Sequence, residues 1–546
     1  MAYNFSYIPY KETGFFSKLV EDYISDDKYI KPFIGFEPNK EGIEKSLNAR
    51  YDKPVNRKVL VDTLKRQYGH LVISNEVEQN LELLADENTF TICTAHQPNL
   101  MTGYLYFIYK ILHAIKMASE LKAIYPDRNF VPVYYMGSED NDIEELGVFS
   151  FRGEKYVWDG AGQGGAVGRM QVKGMEAIID KLLKNFGPPG ADCERLRKNI
   201  TEAYNITNSI ADATQYLVNE LFGNFGLIIL NPDDAAFKEL YIPVMRDELL
   251  AQHSFNIIND QIALLAGKYK IQAAPREINL FYLNDNLRER IEKTGDVWKV
   301  LNTEIEWNET ALMNELQQHP ERFSPNVMLR GMYQETILPN IVFIGGGAEV
   351  AYWLQLKTLF DYYNVHFPVI FLRQSVMWMD KESARLQTLL DLQTTDIFNS
   401  SEEIAKKIVS SQSDSWKISK EAEQIEDILN IVAQKAELVD YTLKAASGAS
   451  LTKIRRHLHV LEQKMYRAEK RKFEVETGRI NKLKSKLFPG NSLQERSDNF
   501  MEYYLDKGDE FLNIIYEGIL PFDNKFLVLS EKGLWVTYSQ KIKVTR

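Results

Sequence analysis

The sequence predicts an α/β core built on a parallel sheet, followed by an antiparallel α-helical coiled-coil domain. Two observations carry this prediction. Short continuous apolar runs recur between stretches of helical periodicity, and a heptad pattern extends with one short break from Ile418 to Ala468. Apolar runs that lack polar alternation are strands buried on both faces, which is the pattern of a parallel sheet covered by helices on either side.

Residues 1–85 are charged and helical in pattern, with Leu60 and Leu64, then Val77, Leu81 and Leu84, at helical intervals. They read as a helical lead-in. A first strand is expected at Phe90-Thr91-Ile92-Cys93, followed by the polar turn Thr94-Ala95-His96-Gln97-Pro98-Asn99. Leu105, Ile108, Leu112, Ile115 and Ala118 then keep the 3.6-residue period of a helix burying one face. A second strand, Phe130 to Met136, runs into the acidic loop Ser138-Glu139-Asp140-Asn141-Asp142-Ile143-Glu144-Glu145. A third, Gly226 to Leu230, meets Asn231-Pro232-Asp233-Asp234. A fourth, Asn340 to Ile344, enters Gly345-Gly346-Gly347 and a helix through Tyr352, Leu356 and Leu359. A fifth is Val369 to Leu372. The polar loops follow strand C-termini, where open α/β sheets hold their ligands. The core spans 86–380, with an insertion of unassigned fold at 235–325.

From 381 to 488 the heptads dominate. Ile418, Ala422, Ile425, Leu429, Val432, Ala436, Val439 and Leu443 form one seam, and Leu451, Ile454, Leu458, Leu461, Met465 and Ala468 a second. Ser447-Gly448-Ala449-Ser450 is the expected turn of a helical hairpin. Each arm extends roughly 40 to 55 Å at 1.5 Å per residue, more than the core can cover. A homodimer through the exposed seam is the simplest expectation; a hairpin packed wholly on its own core is the alternative. The last segment, 489–546, ends in Phe526-Leu527-Val528-Leu529 and Leu534-Trp535-Val536-Thr537-Tyr538, a hairpin expected to dock back on the core.

Bulk properties narrow the function. The 546 residues exceed what one hydrophobic core serves, and 45% hydrophobic with 26% charged residues is the balance of a globular chain. With 65 basic against 76 acidic residues, the net charge of −11 gives no attraction to nucleic acid or anionic membrane. Cys93 and Cys193 have neither disulfide-framework nor zinc spacing, which fits a reducing cytoplasm. The start of the chain has no signal-peptide pattern and no apolar run reaches the ~20 residues of a membrane span, so a soluble, cytoplasmic, unprocessed protein is expected.

Three loops could carry chemistry. His96, Gln97, Asn99 and Thr102 are donors where a strand meets a helix N-terminus, with Gly103 allowing close backbone approach, an arrangement suited to an anionic ligand; local loop hydrogen bonding is the alternative. The acidic loop reads as a magnesium site, as general-base or amine-binding carboxylates at Glu139 or Asp140, or as a solvated turn capping the next helix, which composition alone favours. It departs from the calcium-loop pattern because the required glycine is missing, and no metal site is readable elsewhere. Gly345-Gly346-Gly347-Ala348-Glu349 could cradle a phosphate or carboxylate with backbone amides. It is neither GxGxxG nor a P-loop, and a tight turn with positive φ is its alternative. Lys417-Ile418-Ser419-Lys420 resembles the lysine-serine signature of class I aminoacyl-tRNA synthetases, but Ile418 is in register with the heptads and belongs to the coiled coil.

Taken together, these segments resemble the cysteine-adding enzyme family of bacillithiol biosynthesis. The stretch from His96 to Lys110 is similar to the family element HQ-x-x-L-x-TGPLY-x-x-x-K, and Ser138 to Glu145 to GEDHDF-x-E. Ser324 to Arg330 with Tyr333 to Pro339 is similar to SPNVLLRPL-x-QE-x-LLP, and Ile344 to Lys357 to AGPGEIAYWAQLK. Arg467 to Lys472 and Leu487-Phe488-Pro489 also have counterparts. Tyr104 replaces the proline of TGPLY, Gly347 and Ala348 replace the proline and second glycine of GPGE, and Asn141 replaces the histidine of EDHD, so that histidine's role does not carry over.

The resemblance implies a Rossmann-like core with connecting insertions and a coiled-coil dimerisation domain. It implies a ligase that joins L-cysteine to the amine of glucosaminyl-malate in the last step of bacillithiol biosynthesis. An activated carboxylate, and so ATP or another nucleotide with Mg, is expected by analogy. On this reading His96, Glu139, Asp140 and Asp142 are catalytic. Gln97, Asn99, Thr102, Gly103, Lys110, Arg330, Gly345, Gly346, Gly347, Glu349, Tyr352, Gln355, Lys357 and Arg373 bind substrate or nucleotide, with Arg330, Lys357 and Arg373 neutralising the malate carboxylates. A nucleotidyltransferase acting on another small acceptor, and a coiled-coil scaffold with a degenerate core, are the competing readings.

Overall fold

A computed structural model describes residues 3–188 and 190–532. At its centre is a five-stranded sheet of β1 (Thr89–His96), β2 (Asn129–Met136), β3 (Ile228–Leu230), β4 (Asn340–Gly345) and β5 (Val369–Leu372), in the order β3-β2-β1-β4-β5. Every pairing is parallel. The five strands coincide with the five apolar runs of the sequence, and the fold is the Rossmann-like α/β class. Successive connections move outward from β1 to β3, then return to β4 on its other side. The crevice between the diverging loops after β1 and β4 is the topological switch point where such sheets bind ligands.

β1 is longer than its apolar run. Thr94, Ala95 and His96 continue the ladder, pairing with Tyr134, Tyr135 and Met136, where composition suggested a turn. The buried threonines that obscured this are satisfied across the sheet. Thr91 Oγ1 donates to Asn340 Oδ1 at 3.2 Å, and Thr94 Oγ1 donates to the Ile344 carbonyl at 2.9 Å. Helix α1 (Tyr106–Ile124) follows, with Ile108, Leu112, Ile115 and Ala118 buried as their spacing requires.

The described residues form two compact units. One comprises Tyr7–Met377 and Leu493–Leu529; the other is built on Trp378–Ser492. From Tyr7 on, the lead-in therefore belongs to the sheet unit, and its first described stretch, Tyr3–Pro9, is a strand where a helical pattern was expected. Ile43 and Leu47 pack in one cluster with Ile92, Met117, Ile344 and Val369, and Arg50 donates to the Leu338 carbonyl at 2.5 Å. Leu493–Leu529 returns to the same core, with Leu527 N–H donating to the Ser375 carbonyl at 2.9 Å and Phe526 to Leu529 buried in a strand, Lys525–Glu531. Leu534 to Tyr538 lie outside the described residues.

The insertion is a second five-stranded sheet, antiparallel throughout. Its order is Glu306–Trp307, Val297–Val300, Leu287–Thr294, Leu280–Asn284 and Phe323–Pro325. Only Leu280–Asn284 shows as an apolar run, because the neighbouring strand carries Arg288, Glu289, Arg290, Glu292 and Lys293.

In the other unit the hairpin arms are α4 (Ser419–Val439) and α5 (Leu443–Lys470). The turn lies at Asp440, one to two helical turns before the Ser447–Ser450 stretch that was expected to hold it. Asp440 Oδ1 accepts hydrogen bonds from the Thr442 amide at 2.8 Å and hydroxyl at 2.7 Å, closing the turn. Ser447 and Ser450 instead bond back to the carbonyls of Leu443 and Ala446, so the stretch stays helical around Gly448. Among the described residues no helix is long and apolar enough to cross a membrane.

One buried group on α1 makes the fold sensitive to acid. His113 Nδ1 accepts from the Gln374 amide at 2.9 Å, so its Nε2 carries the hydrogen and donates to the Pro521 carbonyl at 3.0 Å. Burial is the main cause of a pKa lowered from 6.5 to about 4; Pro521 opposes the shift and Arg373 adds to it. A depressed histidine pKa means that the unfolded chain takes up the proton first. The stabilisation is complete above about pH 6.5 and is lost as pH falls toward 4. In urea titrations, the stability advantage of the natural chain over His113→Gln should shrink by about 2 kcal/mol between pH 7 and pH 5. A gap that does not change with pH would refute the assignment.

Candidate active site

A cavity of about 310 Å³ opens at the carboxyl edge of the parallel sheet. All five strands contribute to it: His96 ends β1, Gly137 follows β2, Pro232 follows β3, Gly346 follows β4 and Arg373 follows β5. The site is therefore a direct product of strand order.

His96 is held by its backbone, whose carbonyl accepts from the Gly137 amide at 2.8 Å and from Tyr134 Oη at 3.0 Å. Its ring packs against Tyr106 and Phe107. Burial, reinforced by the charges of Lys110, Arg373 and Arg330, pushes the imidazole pKa well below its ordinary value. The ring is neutral at physiological pH. Its Nε2 is buried without a protein partner, so one hydrogen-bonding position is open to a ligand.

Beside it, Lys110 reaches from α1 to the Ala95 carbonyl at 2.5 Å and to Glu349 Oε2, also at 2.5 Å. Burial is the main influence on the Lys110 pKa and lowers it, against the pull of Glu349. Glu349, in α3 (Gly347–Trp353), also accepts from the Gly346 amide at 2.8 Å. The glycine turn thus binds a carboxylate of its own chain through the Gly346 amide. No residue of the three has positive φ; the glycines answer to space, a Cβ at Gly345 meeting Phe343 at 2.9 Å and one at Gly347 meeting Val20 at 2.9 Å.

The acidic loop divides into two parts. Asp142 caps a short helix, Ile143–Leu146, by accepting from the Glu145 amide at 3.1 Å, which is the capping role that composition favoured. Glu139 and Asp140 line the cavity. Asp140 Oδ2 accepts from Gln97 Nε2 at 3.2 Å. Glu139 is paired with Lys238, which is 0% exposed and also donates to the Phe323 carbonyl at 2.7 Å. Burial raises the Glu139 pKa and Asp233 adds to the rise, while Lys238 opposes it.

On the basic side, Arg330 from α2 (Val327–Ile337) donates to Tyr352 Oη and keeps a buried Nη1 without a protein partner. Arg373 is fully engaged, with Nη1 and Nη2 on Glu495 at 2.9 and 2.7 Å and Nη1 also on Ser375 Oγ. Burial works against its charge, but Glu495 outweighs burial and its pKa is raised. Arg288 and Arg496 complete the basic lining.

The structure thus brings His96, Gln97, Lys110, Glu139, Asp140, Arg330, Gly346, Gly347, Glu349, Tyr352 and Arg373 to one cavity. It does not bring Asn99, Thr102, Gly103, Asp142, Gly345, Gln355 or Lys357 into its lining. Met101, Thr102 and Gly103 form a tight loop of positive φ, whose carbonyls at Met101 and Gly103 accept from buried Asn499. Asn99 packs within 3.4 Å of where a Gly103 Cβ would stand. Gln355 brackets Gln272 and Ala273, and Lys357 pairs with Asp361 at 2.5 Å. Sequence reasoning missed Lys238, Arg288, Glu495 and Arg496: Lys238 sits in the short helix Ala235–Glu239 just past the loop after β3, and the other three on segments with no strand-loop-helix signature. Among the described residues no group of three or more His, Cys, Asp or Glu side chains is placed to hold a metal.

A doubly wound sheet with a small polar cavity at its switch point, in a chain that also carries a helical hairpin, defines a Rossmann-like α/β ligand-binding protein with a coiled-coil domain. Residues 3–374 match the family described as bacillithiol biosynthesis BshC, N-terminal Rossmann-like domain, and residues 376–531 match its C-terminal coiled-coil domain. The chain belongs to the BshC family of bacillithiol biosynthesis. A relative from Flavobacterium johnsoniae is 39% identical over 96% of this chain and 99% of its own, and one from Flavobacterium psychrophilum is 38% identical over 96% and 98%. A more distant relative, from Bacillus mycoides, is 24% identical over 94% and 97%. All three are named "putative cysteine ligase BshC".

The Glu139–Lys238 pair yields a stability test. Lys238→Met strands a buried carboxylate and should destabilise the fold by about 3 kcal/mol in denaturant titrations. The double variant Lys238→Met, Glu139→Gln should recover most of that loss; equal losses in the single and double variants would contradict the pairing.

Proposed function

We propose that the chain is a ligase that joins the carboxyl of L-cysteine to the amine of glucosaminyl-malate, the last step of bacillithiol formation. The names of its relatives support this, and one observation carries it. A single cavity presents carboxylates for an ammonium group, guanidiniums for carboxylates and a neutral imidazole with an open nitrogen.

In the condensation the amine nitrogen bonds to the cysteine carboxyl carbon, and one carboxylate oxygen leaves on the phosphoryl or adenylyl group that ATP would supply. The ammonium must lose a proton before it can attack, and a second proton leaves as the amide forms. Glu139, with its raised pKa, and Asp140 are the groups that hold the amine and take up the first proton. His96 stays neutral among Lys110, Arg330 and Arg373, so it offers the reacting carboxyl one hydrogen bond and adds no charge. A bare carboxylate is a poor electrophile, and ATP with Mg is the proposed activator, by analogy with other carboxylate-activating enzymes.

The test is incubation of the purified chain with L-cysteine and glucosaminyl-malate, with and without ATP and Mg, and mass detection of bacillithiol. Product is expected in the arm that contains ATP. Glu139→Gln and His96→Ala should each lower turnover about 100-fold. Absence of product in both arms refutes the reading, and unchanged turnover in both variants refutes the site.

We propose further that a second copy of the chain covers the hairpin. Helix α4 carries Glu421, Glu423, Glu426, Asp427 and Glu437 against Lys420 and Lys435. Helix α5 carries Lys444, Lys453, Arg455, Arg456, Lys464, Arg467 and Lys470 against Glu462 and Glu469. Within one chain Arg455 already pairs with Glu426 and Lys444 with Glu437; a two-fold arrangement covers the exposed Ile428, Ile431, Val432 and Leu438 and lets the remaining charges of the two arms meet across the copies. Light scattering should give twice the chain mass for the natural protein and the single chain mass for Ile431→Asp with Leu438→Asp. A single-chain mass for the natural protein would refute the dimer.

A further inference from the structure

We infer that Arg288, carried on the antiparallel insertion, grips a carboxylate arm of the ligand, and that Asn141 aims its guanidinium. The inference rests on the ligase reading only for the identity of that ligand. The charges lining the cavity differ in how far they are already used. Lys110 is paired with Glu349, and Arg373 with Glu495. Arg288 and Arg330 line the same cavity and have no carboxylate within ion-pair distance among the described residues, and each keeps a buried nitrogen, Nε and Nη1 respectively, without a partner. Asp140 and Glu139 act on Arg288 through space without pairing with it, and a partly buried guanidinium that lacks a paired carboxylate is costly in a folded protein, a cost that an incoming anion lowers. Arg373 is therefore the weaker candidate for reading a ligand carboxylate, and Arg288 and Arg330 the stronger pair.

Arg288 is held ready for this role. Its guanidinium carbon lies 3.9 Å from the centre of the Phe281 ring, and its Nη1 donates to Asn141 Oδ1 at 3.0 Å. The hairpin tip just before it is pinned from outside. A Cβ at Gly164 would meet the Asn286 carbonyl at 2.8 Å, and one at Gly165, whose φ is +79°, would meet the Leu287 amide at 2.9 Å. The same segment supports the acidic loop, with Val167 N–H on the Asp140 carbonyl at 2.7 Å and Gly168 N–H on the Ser138 carbonyl at 2.9 Å. Arg288 and the acidic loop are therefore fixed by one strip of backbone.

The identity of residue 141 fits the same logic. In the run Glu139-Asp140-Asn141-Asp142 the side chain that bonds Arg288 is the neutral amide. An aspartate there would accept the same hydrogen bond but cancel the guanidinium charge. Asparagine orients Arg288 and leaves its charge available.

Calorimetric titration of the full chain with L-malate, L-lactate and inorganic phosphate tests this independently of turnover. Arg288→Gln should weaken L-malate about 10- to 100-fold and leave L-lactate and phosphate within about twofold. Arg288→Lys, which keeps the charge but loses the fork, should fall between. Asn141→Asp discriminates most sharply. A purely structural tether would survive it, whereas the proposal expects a loss of malate affinity matching Arg288→Gln at an unchanged unfolding midpoint. In steady-state assays the same variants should raise KM for glucosaminyl-malate and leave KM for L-cysteine unchanged. Malate affinity unaltered in Arg288→Gln, phosphate binding lost in place of malate binding, or no malate binding by the natural chain would each overturn the inference. Failure of the condensation assay with malate binding intact would instead sink only the ligase reading.

Discussion

The arrangement of the site depends on one buried lysine. Lys110 rises from α1 and bonds the last inward carbonyl of β1, at Ala95, and the carboxylate of Glu349 at the start of α3. β1 and β4 are neighbours in the sheet, but their following helices depart in different directions, and the gap this opens is where the crevice forms. Lys110 spans that gap from within. Its ammonium cannot be withdrawn without leaving Glu349, whose side chain is 20% exposed, short of its ion-pair partner. The glycine turn after β4 is fixed in consequence, since the same carboxylate holds the Gly346 amide.

From that constraint follows a division of labour among charges of similar kind. Two pairs, Lys110 with Glu349 and Arg373 with Glu495, build the walls. The unpaired ones, Arg288 and Arg330, together with the open nitrogen of His96, are what a ligand meets. Chemical type alone does not separate the two sets. Arg330 and Arg373 would look equivalent in any sequence, and only the position of Glu495 tells them apart.

This explains how far the sequence could be read. All five strands of the parallel sheet were legible because buried strands are mostly apolar, although β1 continues past its apolar run through Thr94 to His96, and the loops after them were legible because strand C-termini define the crevice. His96, Glu139, Asp140 and Gly346 were found on those grounds. The reading ran past the cavity at Asn99, Thr102, Gln355 and Lys357, which share the polar character of their neighbours but lie outside the lining: Gln355 bonds the backbone of Gln272 and Ala273, Lys357 pairs with Asp361, and Asn99 and Thr102 are buried behind the loop. Lys238, Arg288 and Glu495 were illegible for a different reason. Each reaches the site from a segment distant in sequence, and pairing across 99 or 122 residues leaves no local pattern. The hairpin was visible in its heptads, but its turn was misplaced because Ser447 and Ser450 satisfy themselves within a helix and Asp440 closes the chain earlier.

Two contacts made by the segment Leu493–Leu529 carry a consequence for biogenesis. Glu495 neutralises Arg373, and Asn499 satisfies the carbonyls of the left-handed loop at Met101 and Gly103. A ribosome releases that segment only after the whole parallel sheet and the hairpin have been made. Until then a nascent chain holds a sheet whose carboxyl edge carries an uncompensated arginine and a strained loop without its clasp. Competence therefore waits for the last segment to dock, and a polypeptide that ends before Leu493 lacks both contacts.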